Sequence, residues 1–431
     1  MVYLLYDLVL LAAALVLIPF YLIRGALGGK GRQGIRERLG FYAAERLAPL
    51  AGRPVIWVHA VSVGETRAAI PLIKGLRHRY PQHALLISNV TETGHAISEG
   101  IAEVDLALYF PFDHSSVVRR ILARIRPELI VIVETEIWPN FVRQAHRLHI
   151  PLALVNGRIS DRSYPRYRKV RRWLQPLLGM IDTLCMQSAA DAERMLAMGG
   201  PAARVVVTGN VKFDMTPPQD TTPAAELRQR LALSGFEQVW VAGSTHDGEE
   251  AQLLAVQQRL SIERSLGLVL VPRHPQRCDE VARLLSEQAI PFVRRSTLGE
   301  TPEPLPPGGV LLVDTLGEML KMYRLADVVF VGGSFVPVGG HNILEASLVG
   351  KPVLFGPYMH NFREIAALVA ACGGGEKVAD AEVLTAVLQR YLANPAEAAR
   401  VGAAGFALLQ ENCGATRATL DRLACLLEPP A

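Results

Sequence analysis

The chain has 431 residues, half of them hydrophobic and one fifth charged, with 45 lysines and arginines against 41 aspartates and glutamates for a net charge of +4. That length exceeds one ordinary domain and accommodates two, each able to bury its own core, and the near balance of charge excludes a general nucleic-acid binder. Cys185, Cys278, Cys372, Cys413 and Cys425 form no CxxC pair and no Cys/His ligand spacing, which excludes a structural zinc and a disulfide scaffold and reads as thiols of a reducing compartment.

Residues 2–23, VYLLYDLVLLAAALVLIPFYLI, are almost wholly apolar, with Asp7 as the single charge. The run is long enough to cross a hydrocarbon core of about 30 Å as a helix, and it lacks the basic start and small-residue cleavage site of a signal peptide. Residues 1–24 are therefore predicted to be a retained N-terminal membrane anchor, either spanning or lying in one leaflet. Arg24, Lys30, Arg32, Arg36 and Arg38 follow directly and keep the next domain on the cytoplasmic side by the positive-inside rule. Lys30, Arg32, Arg36 and Arg38 are also candidates to hold membrane lipid or acceptor headgroups, and a pure topology signal explains them equally well.

Beyond the anchor, short β-branched runs alternate with amphipathic stretches: PVIWVHAVS, ALLISNVT, LALYFPF, ELIVIVETEIWP, PLALVNGRIS, TLCMQS and RVVVTGN. This rhythm predicts a parallel sheet with crossover helices over residues 25–210. After the Pro- and Thr-rich break MTPPQDTTPAAE the rhythm restarts with QVWVAGST, GLVLVPRH, PFVRR, VLLVDT, DVVFVGG and PVLFGP, which predicts a second α/β domain over 211–431. A helical tail from about residue 382 ends the chain and is free to pack back on the first domain. Two such sheets predict a ligand cleft between the domains, at the carboxyl ends of the strands.

The loops at those ends carry the chemistry. In VSVGETRAA, Ser62, Gly64 and Glu65 fall at a strand-to-helix turn. There Glu65 is suited to act as a general base, or to serve only as a first-turn acid favoured by the helix dipole. In VETEIWPN, Glu134 and Glu136 follow an apolar strand, and an inward carboxylate there needs a partner or a task. Lys212 in GNVKFD is a candidate to neutralise a leaving phosphate, or a surface charge. In the second domain, Gly339 and Gly340 lead into a helix predicted to start at His341 or Asn342. Free amide N–H groups at such a start suit a phosphate, and Glu345 one turn on suits ribose hydroxyls. Arg273 and His274 in VPRHPQR, Ser244 and Thr245 in AGSTHDGEE, and Leu316, Gly317 and Glu318 in DTLGEM open from strands toward the same edge.

Taken together, VSVGE, SNVTETG, FPFD, ETEIWPN, NGRISDRS, GNVKFD, GSTHDGEE, PRHPQR and GGSFVPVGGHNILE resemble the 3-deoxy-D-manno-octulosonic acid (Kdo) transferases of Gram-negative bacteria. The resemblance spans nearly the whole chain. It implies a GT-B fold, in which two Rossmann-like domains face a central cleft, and an inverting transfer of Kdo from CMP-Kdo to a lipid A precursor at the cytoplasmic face of the inner membrane. It further implies Glu65 as the proton acceptor, Glu136 and Lys212 as auxiliary catalytic residues with Glu134 competing for the role of Glu136, and donor contacts from Arg273, His274, Leu316, Gly317, Glu318, Asn342, Ile343, Leu344 and Glu345. No metal or other cofactor is expected, because the scheme needs none and no Asp-x-Asp pair stands out. A sugar-nucleotide epimerase of the same two-lobed shape and a non-catalytic membrane-tethered nucleotide binder are the rival readings.

Overall fold

The computed structural model of the chain describes residues 3, 5–12, 34–217 and 220–428. Runs such as VIWVH and LIVIV are apolar without alternation, a pattern stable only in strands covered on both faces, and they are buried at every position. Seven strands build the first sheet: β1 (Val55–His59), β2 (Ala84–Asn89), β3 (Leu106–Tyr109), β4 (Leu129–Val133), β5 (Leu152–Gly157), β6 (Thr183–Met186) and β7 (Val205–Val207). All neighbours are parallel, in the order β3-β2-β1-β4-β5-β6-β7. One core packs Trp57, Phe110 and Phe141 on one face of this sheet, and another packs Ile56, Leu72 and Leu76 on the other.

The second sheet consists of β8 (Gln238–Thr245), β9 (Leu266–Pro272), β10 (Phe292–Arg294), β11 (Val310–Leu312), β12 (Val328–Val331), β13 (Val353–Phe355) and β14 (Gly375–Lys377), again parallel throughout, in the order β10-β11-β9-β8-β12-β13-β14. The chain leaves to opposite sides from β1 and β4 in the first sheet, and from β8 and β12 in the second. Such reversals open a crevice beyond the carboxyl ends of those strands. The edge strand β14 is the one the sequence pattern omits, because its residues GEK carry no apolar run.

The chain divides into two units, one formed by Met1–Asp214 with Asn412–Ala431 and the other by Met215–Glu411. The predicted boundary at 211 thus falls at 215, and the last twenty residues belong with the first unit. The C-terminal helix Ala415–Leu427 packs on the helix Val63–Arg79, where Gly75 lets it come close: a Cβ there would lie 2.4 Å from Leu420 Cδ1. Asp214 ties this return down, its carboxylate accepting the backbone N–H of Gly414 at 2.5 Å and that of Thr416.

The predicted anchor falls mostly outside the described residues, as do Lys30 and Arg32. Among the described residues no helix is long and apolar enough to cross a membrane. Residues 5–12 are helical and are fastened to the first unit by their polar groups. Asp7 accepts the Ser115 N–H at 3.1 Å and the Asn140 side-chain amide at 2.7 Å, and the Tyr6 hydroxyl donates to Asp113 at 3.1 Å. Arg36 is exposed, whereas Arg38 donates to the Val90 carbonyl at 2.5 Å and lies 4.7 Å over the Tyr109 ring.

Candidate active site

In the first unit the chemistry gathers where β1 and β4 end. Ser62 caps the helix Val63–Arg79, and Glu65 reaches back: its carboxylate accepts the Ser62 hydroxyl at 2.8 Å and the Val61 N–H at 2.7 Å. This reciprocal box satisfies donors that a helix start otherwise leaves open, and it fixes the Glu65 rotamer. Burial leaves Glu65 9 % exposed and raises its pKa to about 7; the Ser62 and Val61 hydrogen bonds pull the other way, and the charges of Glu134 and Glu136 push it further up. A carboxylate poised there switches between base and acid near neutral pH.

Glu134 follows β4 in the left-handed region, at φ 62°, with its N–H bonded to the Val155 carbonyl at 2.8 Å. Its carboxylate pairs with Lys212 at 3.0 Å. The residue that holds Lys212 is therefore Glu134. Glu136 lies two residues on, half-buried, its pKa raised by burial and by Glu134. Three carboxylates thus act on one another electrostatically, and one lysine is fixed among them.

The second unit gathers its groups where β8, β9 and β12 end. The organising residue is Glu249, fully buried, whose carboxylate accepts four backbone N–H groups: His246 at 2.9 Å, Gly333 at 2.7 Å, Ser334 at 3.0 Å and Phe335 at 2.8 Å. It joins the loop after β8 to the glycine loop after β12. Across that junction His246 and His341 meet Nε2 to Nε2 at 2.8 Å with their rings parallel, and His274 stands edge-on to His246 at 5.6 Å between centroids. Burial and the neighbouring His274 and Arg273 hold the His246 pKa below the usual imidazole value.

Gly339 and Gly340 take φ values of 111° and 74°, and a Cβ on Gly340 would lie 2.2 Å from Met359 Sδ, so the loop requires glycine twice over. The following helix, Leu344–Leu348, begins two residues later than the sequence pattern indicates, because the Asn342 side chain accepts the Leu344 N–H at 3.2 Å. Ile343 and Leu344 are wholly buried, which leaves backbone groups rather than side chains for any ligand contact. Glu345 is half-buried and Arg273 also, its N–H bonded to the Thr245 carbonyl at 2.9 Å. Ser244 closes β8 at φ 57°, but Glu249 organises this turn, not the hydroxyls of Ser244 and Thr245; Thr245 donates to Glu250 at 3.1 Å. Leu316 is 80 % exposed beside Gly317, whereas the Glu318 carboxylate is held by Arg295 at 3.2 Å and by Thr315. Glu318 stands at the N-cap position of the seven-residue helix Met319–Leu325, and its side chain makes no cap hydrogen bond there.

The family described as 3-Deoxy-D-manno-octulosonic-acid transferase (kdotransferase) matches residues 33–215. A 3-deoxy-D-manno-octulosonic acid transferase of Haemophilus influenzae is 34% identical over 400 residues, 92% of each chain. One from Bordetella pertussis is 36% identical over 409 residues, again 92% of each. The chain belongs to the 3-deoxy-D-manno-octulosonic acid transferase family. It is therefore a glycosyltransferase that acts in lipopolysaccharide biosynthesis. A solved glycosyltransferase from Rickettsia africae, 14% identical, superposes with a TM-score of 0.54 over 88% of this chain and all of that one, which shows the GT-B-like fold of two parallel-sheet α/β domains.

Four residues escape sequence reasoning. Glu249 sits inside GSTHDGEE with two acidic neighbours, Asp247 and Glu250, and nothing in the spacing distinguishes the one that gathers the backbone N–H groups. His246 and His341 become a pair only through the sheet order that brings β8 beside β12. His59, at the end of β1, is buried and stacked on Phe110 at 3.8 Å, with Nδ1 at 3.0 Å from the Ser88 hydroxyl, and burial lowers its pKa to about 3. A histidine neutral in the fold and ordinary in the unfolded chain makes stability fall as pH drops from about 6.5 toward 3. Denaturant titrations over that range should show this slope in the wild type and lose it in His59→Gln.

Proposed function

We propose that the chain transfers Kdo from CMP-Kdo to a lipid A precursor with inversion, at the cytoplasmic face of the bacterial inner membrane. The observation that carries this reading is the Glu65 carboxylate, held in one rotamer at the β1 and β4 crevice with its pKa raised to about 7, beside the Glu134–Lys212 pair. Glu65 takes the proton of the acceptor's attacking hydroxyl as that oxygen bonds to the anomeric carbon. The carbon–phosphate oxygen bond breaks on the opposite face, and CMP leaves with the electron pair. Glu136 and Lys212 serve as auxiliary groups, Lys212 by neutralising charge on the departing phosphate.

In the second unit, Arg273 and His274 bind the donor phosphate, the backbone N–H groups of residues 342–344 add donors from the glycine loop, and Glu345 receives the ribose hydroxyls. Ser244 and the turn of Leu316, Gly317 and Glu318 complete the CMP contacts, Gly317 by backbone since it has no side chain. The scheme assigns phosphate neutralisation to arginine and lysine and calls for no metal or other cofactor, so chelation with EDTA should leave turnover unchanged.

Two measurements test these assignments. Since Glu65 works only when ionised, kcat/KM should rise with pH through an inflection near 7. Ser62→Ala removes a hydrogen bond that lowers the pKa, and should move that inflection to higher pH; an acid limb fixed near the ordinary carboxylate value in both proteins would remove Glu65 from the base role. For the donor site, Arg273→Ala should weaken CMP binding by at least about tenfold in calorimetry, the usual cost of losing a charge-assisted contact. Unchanged affinity would take Arg273 out of the pocket.

A further inference from the structure

The helices Tyr164–Lys169 and Arg171–Leu178 carry the sequence YPRYRKVRRWLQPLL. With Arg162 they present six cations, Arg162, Arg166, Arg168, Lys169, Arg171 and Arg172, all exposed, and no acidic residue lies between Asp161 and Asp182. In the middle of this surface Trp173 is 68 % exposed and Val170 is 41 % exposed. An indole held out in water among arginines has no folding role. Tyr164, Tyr167 and Leu174 pack inward on the first unit's core and hold both helices to the body, so the outward face is displayed by a fixed scaffold.

The helix Pro139–Arg147 lies against Arg171–Leu178 on one side. It also receives the N-terminal helical residues: Asn140 donates to Asp7 at 2.7 Å, and the Arg143 guanidinium lies 4.5 Å over the Tyr3 ring. Those N-terminal residues expose Leu5, Leu8, Val9 and Leu11, each at least 50 % accessible. An apolar helical face and a cationic, tryptophan-bearing face therefore flank one helix. Nearby, Glu136 acts electrostatically on the Tyr167 hydroxyl, so the cationic face adjoins the candidate catalytic carboxylates.

We infer that residues 162–173 form a second membrane contact, which binds the anionic surface of a lipid bilayer through its arginines while Trp173 inserts at the headgroup level. Arginines attract anionic headgroups within a Debye length, and tryptophan prefers the interface between water and hydrocarbon. The two attachments, one apolar and one electrostatic, orient the first unit so that the Glu136 side stays at the bilayer, where a lipid acceptor is presented. Single attachments of either kind are weak and reversible, and paired ones are not. This rests on the lipid-acceptor reading for its purpose, but not for its test.

The test uses the full chain with vesicles of phosphatidylcholine, with or without phosphatidylglycerol, and with brominated phosphatidylcholine as quencher. The wild type should prefer the anionic vesicles by about tenfold or more, a preference that salt reduces. Bromolipid should quench Trp173 emission. R166E/R168E/R171E/R172E should lose most of the anionic preference, keeping only what the N-terminal apolar residues and the basic residues after them supply, and Trp173→Phe should abolish the quenching while keeping the anionic preference. An undiminished preference in the charge-reversed variant, or quenching that persists in Trp173→Phe, would overturn the inference. So would tight binding of a short RNA together with indifference to phosphatidylglycerol. No donor or acceptor is present, so failure of Kdo transfer would be a separate result.

Discussion

Replacing Glu65 by glutamine should lower kcat by about 10²- to 10⁴-fold, the range for removal of a general base, and leave CMP affinity unchanged. The substitution is nearly isosteric. The glutamine carbonyl can still accept the Val61 N–H, and its amide can donate to the Ser62 hydroxyl, so the helix Val63–Arg79 keeps its start. Stability offers a second reading of the same residue. Because the folded pKa of Glu65 lies near 7, above the ordinary carboxylate value, the native state binds the extra proton between those limits, and stability declines as pH rises through that window. The glutamine variant should lack this decline. A variant with near-normal turnover would show that the proton goes elsewhere, and Glu136, also raised by burial, would be the next carboxylate to remove.

Glu249→Ala should have the largest effect on stability in the second unit. Four backbone N–H groups converge on that carboxylate, and alanine would leave them buried without an acceptor. At about 1–3 kcal/mol for each unsatisfied group, partly relieved by water or relaxation, the loss should exceed about 3 kcal/mol in denaturant unfolding. CMP binding should fall with it, since the glycine loop between β12 and the helix Leu344–Leu348 is ordered by the same bonds. A loss below about 1 kcal/mol with CMP affinity intact would mean that the loop holds its shape unaided.

Much of the architecture was legible because parallel sheets advertise themselves: the central strands such as β1, β2, β4, β5, β9 and β12 are apolar runs buried on both faces, between amphipathic stretches. What escaped was either too short to carry a pattern, as with Gly375–Lys377, or decided by tertiary contact, as with the pairing of His246 with His341; the return of the C-terminal helix to the first unit was expected, and Asp214 supplies its tie. At the site, the place of Glu65 in the first turn of a helix was legible, because a strand-to-helix turn at Ser62 has a local cause. The choice between Glu134 and Glu136 was not. The left-handed turn at Glu134 aims that side chain at Lys212, and backbone sign is invisible in a run of ETEIW. The helix expected at His341 or Asn342 starts instead at Leu344, because an asparagine side chain can cap a turn before the helix begins.

The most direct measurement is mass spectrometry of the product formed by the purified full chain from CMP-Kdo and a lipid A precursor, run in parallel with Glu65→Gln at a protein concentration where both bind CMP. The account predicts acceptor carrying added Kdo from the wild type, released CMP in equal amount, and essentially no Kdo-bearing acceptor from the variant. Acceptor left unmodified by the wild type, or modified equally by both proteins, would contradict it.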